Sequence, residues 1–249
     1  MMAALALIGL GLPIGFLIGL IGIGGVLLAP ALVHLFGRDI HDAVSLSLAS
    51  FVLAGAIAAM RAGSSDVRLN AGDWIFLGTI IPGAFIGALA APWIPATSLS
   101  LIVSACVALA GLSCLRKPAG NGGVVLKPGV LASAGVATGF LSAMSGTGGP
   151  LICLPLLLWK GMDVRRALLL AQVAQLPVAG TATVVNGIRG SVDYVVVGIL
   201  SVAIVAGMLT GIAVSRRIET GILRTSVACC LIVVGIALCA ADLWRIAGP

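Results

Sequence analysis

The stretch Gly15-Phe-Leu-Ile-Gly-Leu-Ile-Gly-Ile-Gly-Gly-Val-Leu27 returns 124 residues later as Gly139-Phe-Leu-Ser-Ala-Met-Ser-Gly-Thr-Gly-Gly-Pro-Leu151. Between positions 15 and 43, 11 of 29 residues are identical to their counterparts at that offset, including Gly22/Gly146, Gly24/Gly148, Gly25/Gly149, Gly37/Gly161, Asp39/Asp163 and Ala43/Ala167. A bias toward Gly and Leu raises such a count by itself. Fixed glycine spacing is harder to obtain that way, so the reading is an internal duplication. Farther along, Gly78 and Gly87 are paired with Gly198 and Gly207 by allowing a short length difference near residues 63–73.

Each copy sits in an apolar run too long for one span. Residues 1–36 as a single helix would measure about 54 Å at 1.5 Å per residue, against a hydrocarbon core of roughly 30 Å. Each long run is therefore divided into a helix, a glycine break and a second helix. The other apolar runs fall at 43–60, 74–94, 97–115, 167–186, 194–214 and 221–244, and the second broken run covers 129–159. Of the 249 residues, 60% are hydrophobic and 9% charged, with a mean hydropathy of +1.23. A soluble domain carries roughly 25% charged residues, so lipid must be the main solvent of this surface. The first run has no Lys or Arg before it, unlike a cleaved secretory signal, and reads as a retained membrane segment.

The formal charge of +6 does not point to nucleic acid, since no basic domain with interleaved aromatics exists; it points to cytoplasmic loops. If each broken run enters and returns to one side, eleven basic residues share that side: Arg61, Arg68, Arg116, Lys117, Lys127, Lys160, Arg165, Arg166, Arg216, Arg217 and Arg224. Three, Arg38, Arg189 and Arg245, take the other. The positive-inside rule selects this arrangement. It predicts an all-α integral membrane protein, a polytopic helix bundle of two inverted repeats, each opening with a glycine-broken helix pair. The first repeat is 1–118, the cytoplasmic linker 119–128 and the second repeat 129–249. Inverted repeats are a common plan of secondary transporters.

A helix break leaves backbone N–H groups without partners and a partial positive charge at the start of the next helix. Two facing breaks form an anion site with no buried Lys or Arg. Gly22, Gly24, Gly25, Gly146, Gly148 and Gly149 are the candidate backbone donors. Ser47, Ser50, Ser145, Thr147, Gln172 and Gln175 are the candidate side-chain ligands; the two glutamines, one turn apart, share a helix face. Helix packing through small residues is the competing role for the glycines, and the expected one for Gly83-x-x-x-Gly87 and Gly207-x-x-x-Gly211. Serines can also bond back to their own helix, and the glutamines can join helices. Pro177 is expected to kink its helix.

No Asp, Glu, Lys, Arg or His falls near the middle of a proposed span, so a carboxylate proton relay is not supported. No Walker A motif, catalytic constellation or CxxC pair is present, so the expectation is no enzyme, no cofactor and no metal. The six cysteines, Cys106, Cys114, Cys153, Cys229, Cys230 and Cys239, read as packing residues.

The chain resembles the TauE/SafE sulfite exporter family, also described as the four-toluene sulfonate uptake permeases. The likeness rests on Gly19 to Pro30 and Gly139 to Pro155, each followed by an Asp-x-x-x-Ala turn at Asp39–Ala43 and Asp163–Ala167. It implies a bacterial or archaeal inner-membrane permease, often an exporter, for sulfite, sulfonates or related organic anions. The expected partners are a small anionic substrate and membrane lipid, with no nucleic acid; a homo-oligomer is an open alternative, and the sequence does not name a coupling ion, proton or sodium. The second copy departs from a plain glycine run at Ser145, Thr147 and Pro150. An anion channel of the same fold and a non-transporting membrane scaffold are the alternatives.

Overall fold

The computed structural model describes residues 2–22, 24–63, 69–99, 101–102, 104–105, 127–159, 162, 164–190 and 192–215, with 232, 233, 236 and 240. It is all-helical over these residues, with no strand among them. The helices are α1 (Met2–Ile21), α2 (Leu28–Phe36), α3 (Ile40–Gly63), α4 (Ala71–Ala90), α5 (Pro128–Ser145), α6 (Pro150–Trp159), α7 (Val164–Ile188) and α8 (Tyr194–Ser215). Four are long and apolar enough to cross a membrane: α3, α4 with its extension to Trp93, α5 and α8. The linker, most of the runs at 97–115 and 221–244, and every cysteine except Cys153 lie outside the described residues. Cys153 is buried and free.

Both long runs are broken where the glycines cluster. α1 stops at Ile21, and Gly22 at φ +78° turns the chain back. A Cβ on Gly24 would lie 2.8 Å from the Ile14 carbonyl, so the chain after the break returns alongside α1. α5 stops at Ser145, followed by Gly146, Gly148 and Gly149, all at positive φ. Other ends use ordinary signals. Asn70 and Asp73 form a capping box at the start of α4, Pro128 opens α5, and left-handed Gly37 closes α2 by donating to the Val33 carbonyl at 3.1 Å.

The close helix contacts cross between the two copies. α1 lies on α8, and α5 lies on α4. Side chains are absent where these backbones touch: Cβ atoms on Gly15 and Gly19 would collide with the carbonyls of Ile204 and Met208, and those on Gly207 and Gly211 with the carbonyls of Leu12 and Phe16. In the other pair, Gly135 and Gly139 press on Phe76 and Ile80, while Gly83 and Gly87 press on Val136 and Phe140. At the same offset of 124, Gly15 on Ile204 maps onto Gly139 on Ile80, Gly207 on Leu12 onto Gly83 on Val136, and Gly211 on Phe16 onto Gly87 on Phe140. The pairing of Gly78 with Gly198 and Gly87 with Gly207 is thereby corrected. The structural counterparts are Gly83/Gly207 and Gly87/Gly211, no length difference is needed, and Gly78 and Gly198 face open space. The two GxxxG pairs are packing residues, as expected. Gly207→Ala should therefore lower the melting temperature in detergent, because a carbonyl cannot move aside as a flexible side chain can, whereas Gly198→Ala should not.

Residue numbers rise together along α1 and α8, and likewise along α4 and α5. α7 runs with α4, since Arg166 meets Asp73 at their starts and Arg189 donates to the Ala88 carbonyl at their ends. α3 runs with α8, through Arg38 with Asp193 and the Ser50 carbonyl with Ser201. A Cβ on Gly187 would lie 2.8 Å from the Tyr194 hydroxyl, so α7 ends at the level where α8 starts. Large apolar side chains such as Leu12, Leu53, Phe85, Val202 and Leu209 are exposed on the outside. Trp74 and Trp93 stand exposed near the ends of the α4 span, roughly a bilayer core apart, as expected of an interfacial aromatic pair.

Candidate functional site

The two breaks meet. Their small shared cavity is lined by Ile18, Gly22, Gly24, Gly25, Val26, Thr147, Pro150, Leu151 and Gln175. It thus takes its walls from both copies and from α7. The first break ends in a tight turn, Gly25–Leu27, that leads into α2; the second leads directly into α6 at Pro150. Both helix starts carry outward N–H groups for geometric reasons. Pro150 has no N–H, so the second break offers one donor fewer than the first, where Val26 stands at the same repeat position.

α7 reads both breaks with its two amides. A Cβ on Gly22 would lie 3.2 Å from Gln172 Nε2, and one on Gly148 would lie 3.3 Å from Gln175 Nε2. Gln175 is 2% exposed and belongs to the cavity wall. Gly149 lies over the backbone of Ala174 and Gln175. The glutamines therefore share a face, as their spacing requires, and that face is turned to the glycines. α7 runs continuously across Pro177.

Other candidates go elsewhere. Gly146 packs on Val44 and Ala29, outside the cavity lining. Ser50 donates to the Leu46 carbonyl at 2.7 Å, the bond back to its own helix. Ser47 is fully buried, and its hydroxyl has no partner among the described residues. Ser145 and Thr147 share a hydrogen bond of 3.0 Å; Thr147 faces the cavity and Ser145 stands behind it. Ser50→Ala should then leave ligand binding unchanged in a thermal-shift titration, whereas Thr147→Val should weaken it severalfold by removing a cavity hydroxyl.

Phe51 escaped the sequence reading. Its ring lies against both breaks: Cβ atoms on Gly25 and Gly148 would come within 2.9 and 3.0 Å of it. The signal was present, because residue 51 is the repeat counterpart of Gln175. At one symmetric position the site holds an aromatic ring, and at the other an amide.

Asp73 was also missed. It is completely buried at the start of α4, where its Oδ2 accepts from Arg166 at 2.6 Å and from the Asn70 N–H at 2.9 Å. A second ion pair, Arg38–Asp193 at 3.8 Å, is exposed. Each pair joins the start of a copy's third helix to the start of the other copy's fourth, and at the 124-residue offset the pairs differ by one helical turn.

Facing backbone breaks in an apolar bundle, with neutral polar groups between them, are the plan of broken-helix membrane transporters. The chain matches the family "Sulfite exporter TauE/SafE" over residues 7–238 and belongs to it. It is similar to the "Probable membrane transporter protein YdhB" of Bacillus subtilis (strain 168), with 27% identity over 226 residues, covering 86% of this chain and 91% of the relative. No solved structure matches it. The protein is a membrane transporter.

Proposed function

We propose that the chain carries sulfite, organosulfonates or related small sulfur-containing anions across the bacterial or archaeal inner membrane, as an exporter working by alternating access. The observation that carries this reading is the cavity itself. It joins both glycine breaks and an amide, while no Lys, Arg or His is among its lining residues. Hydrogen bonds from neutral groups match an oxyanion's several acceptors yet remain weak enough for release. A fixed cation would hold it far more tightly in a medium of low dielectric. The family's own description names sulfite export, which favours sulfur oxyanions over carboxylates.

The two copies act as inverted repeats in this reading. Support comes from the two parallel trios α1, α3, α8 and α4, α5, α7, which the short 189–193 connection would set in opposite directions, and from glycine contacts that exchange at a constant offset. Among the described basic residues, Arg61, Lys127 and Arg166 lie at the end where α4 starts, and Arg38 and Arg189 at the other. The first end is then cytoplasmic. Gly24, Gly25, Gly148 and Gly149 supply backbone donors in this scheme; Gly22, against expectation, spends its N–H on the Ile18 carbonyl at 2.8 Å and only shapes the turn; Thr147, Gln172 and Gln175 supply side-chain donors.

The test is a thermal-shift panel on purified protein with sulfite, thiosulfate, sulfoacetate, taurine and simple carboxylates. A ligand of the folded state raises its apparent stability by mass action. Saturable stabilisation by a sulfur oxyanion, followed by saturable flux in proteoliposomes, is the expected result. Stabilisation by carboxylates alone would sink the substrate assignment, and non-saturating flux would mark a channel.

A further inference from the structure

The two breaks differ in one systematic way. Along α5, Thr138, Ser142 and Ser145 recur at helical spacing on one face, and Thr147 follows just past the helix end; all four are at most 2% exposed. At the 124-residue offset the first copy has Ile14, Ile18, Ile21 and Ile23. Four isoleucines in one copy are four hydroxyls in the other.

These hydroxyls do not take the usual way out. Ser50, Thr79 and Thr210 each bond back to a carbonyl of their own helix, at 2.7–3.3 Å. Thr138 and Ser142 are fully buried, and their hydroxyls have no hydrogen-bond partner among the described residues. A buried hydroxyl left unpaired costs about 1–3 kcal/mol, so both oxygens are available to a ligand. The last carbonyls of α5 also end here without intrahelical partners, carrying the negative end of the helix dipole. These hydroxyl and carbonyl oxygens all bear partial negative charge.

We propose that the C-terminal end of α5 binds a monovalent alkali cation through the hydroxyls of Ser142, Ser145 and Thr147 and the terminal carbonyls, with Thr138 extending the polar line toward the start of α5. Charge fits the assignment. The set contains no carboxylate, which a protein site for a divalent ion requires, and the described residues hold no cluster of His, Cys, Asp or Glu. Position fits as well. Thr147 lines the cavity beside the two breaks, so the cation lies next to the bound anion and neutralises it where no basic side chain does. This inference rests on the cavity being an anion site, and it makes the second copy the coupling half.

Purified protein is melted in sodium, potassium or choline chloride at constant ionic strength, first without any sulfur anion. Sodium or potassium should raise the melting temperature saturably over choline, and Ser142→Ala should abolish the difference. Ser142→Cys, which keeps a side chain of similar shape but replaces oxygen by a poor alkali ligand, serves where the alanine variant does not fold. The preferred cation should also lower the half-saturating concentration of a stabilising anion at least tenfold. Equal melting in all three chlorides, or a cation effect retained in both Ser142 variants, would overturn the proposal and assign the hydroxyls to bound water. An anion-induced shift that persists in choline would meanwhile leave the anion site standing.

Discussion

Gly148→Leu should abolish the stabilisation that the best anion of the panel gives the wild type. Gly148 sits at φ +75°, where a residue with a Cβ is strained by about 1–2 kcal/mol. Its Cβ would also press on Phe51 at 3.0 Å and on Gln175 Nε2 at 3.3 Å. The rest of a leucine side chain has nowhere to go but the cavity or the core. Helix α6 would lose the close approach of ligand to backbone that only glycine permits. Because strain could unfold the protein outright, Gln175→Leu provides an independent arm. It leaves the backbone alone and removes the one amide that lines the cavity. A loss of at least tenfold in affinity is expected, the effect of deleting a buried hydrogen-bonding group worth about 1.5–3 kcal/mol to a charged ligand. Gly180→Ala is the control, since a Cβ there meets nothing within 4 Å. Unchanged anion binding in both Gly148→Leu and Gln175→Leu would remove the cavity from the transport path.

Asp73→Asn carries the second large effect, and it is on stability. The Asp73 carboxylate is fully buried while Arg166 is partly exposed, and their contact of 2.6 Å is charge-assisted. Replacing the carboxylate by a neutral amide removes a charge-assisted hydrogen bond at a buried position, at a cost of about 1.5–3 kcal/mol. Arg38→Ala removes half of the equivalent pair on the other side, which is exposed and spans 3.8 Å, so it should cost at most about 1 kcal/mol. Melting temperatures of the two variants in the same detergent check the contrast. A double variant, Asp73→Leu with Arg166→Leu, should recover much of the loss, because a buried pair is often replaceable by apolar side chains. Equal destabilisation by Asp73→Asn and Arg38→Ala would mean that burial does not separate the pairs. The buried latch ties α4 to α7 where both begin, and the loose one ties α3 to α8.

The broken runs, the repeat and the location of the cavity were legible in the chain because each depends on local or strictly periodic information. Run length against bilayer thickness exposes a break, and clustered glycines give its place. A constant offset of 124 exposes the duplication. Gln172 and Gln175 could be put on one face from their spacing alone. What contacts that face is a different kind of fact. Ser50 turned out to satisfy itself within its helix, while Ser47 and Ser142 did not, although hydropathy treats all three alike. The difference is a rotamer choice made under packing from other helices.

The sequence by itself determined that this protein is a two-copy membrane helix bundle with two glycine breaks, since lipid solvation and backbone hydrogen bonding leave an apolar chain few alternatives. Only the tertiary structure decided that each copy packs chiefly on the other, that Phe51 spans both breaks, and that Asp73 finds Arg166 across 93 positions of chain. Those outcomes depend on which helix faces meet. In lipid, close backbone contact and the pairing of buried polar groups choose the meeting faces, and neither is written in any single segment.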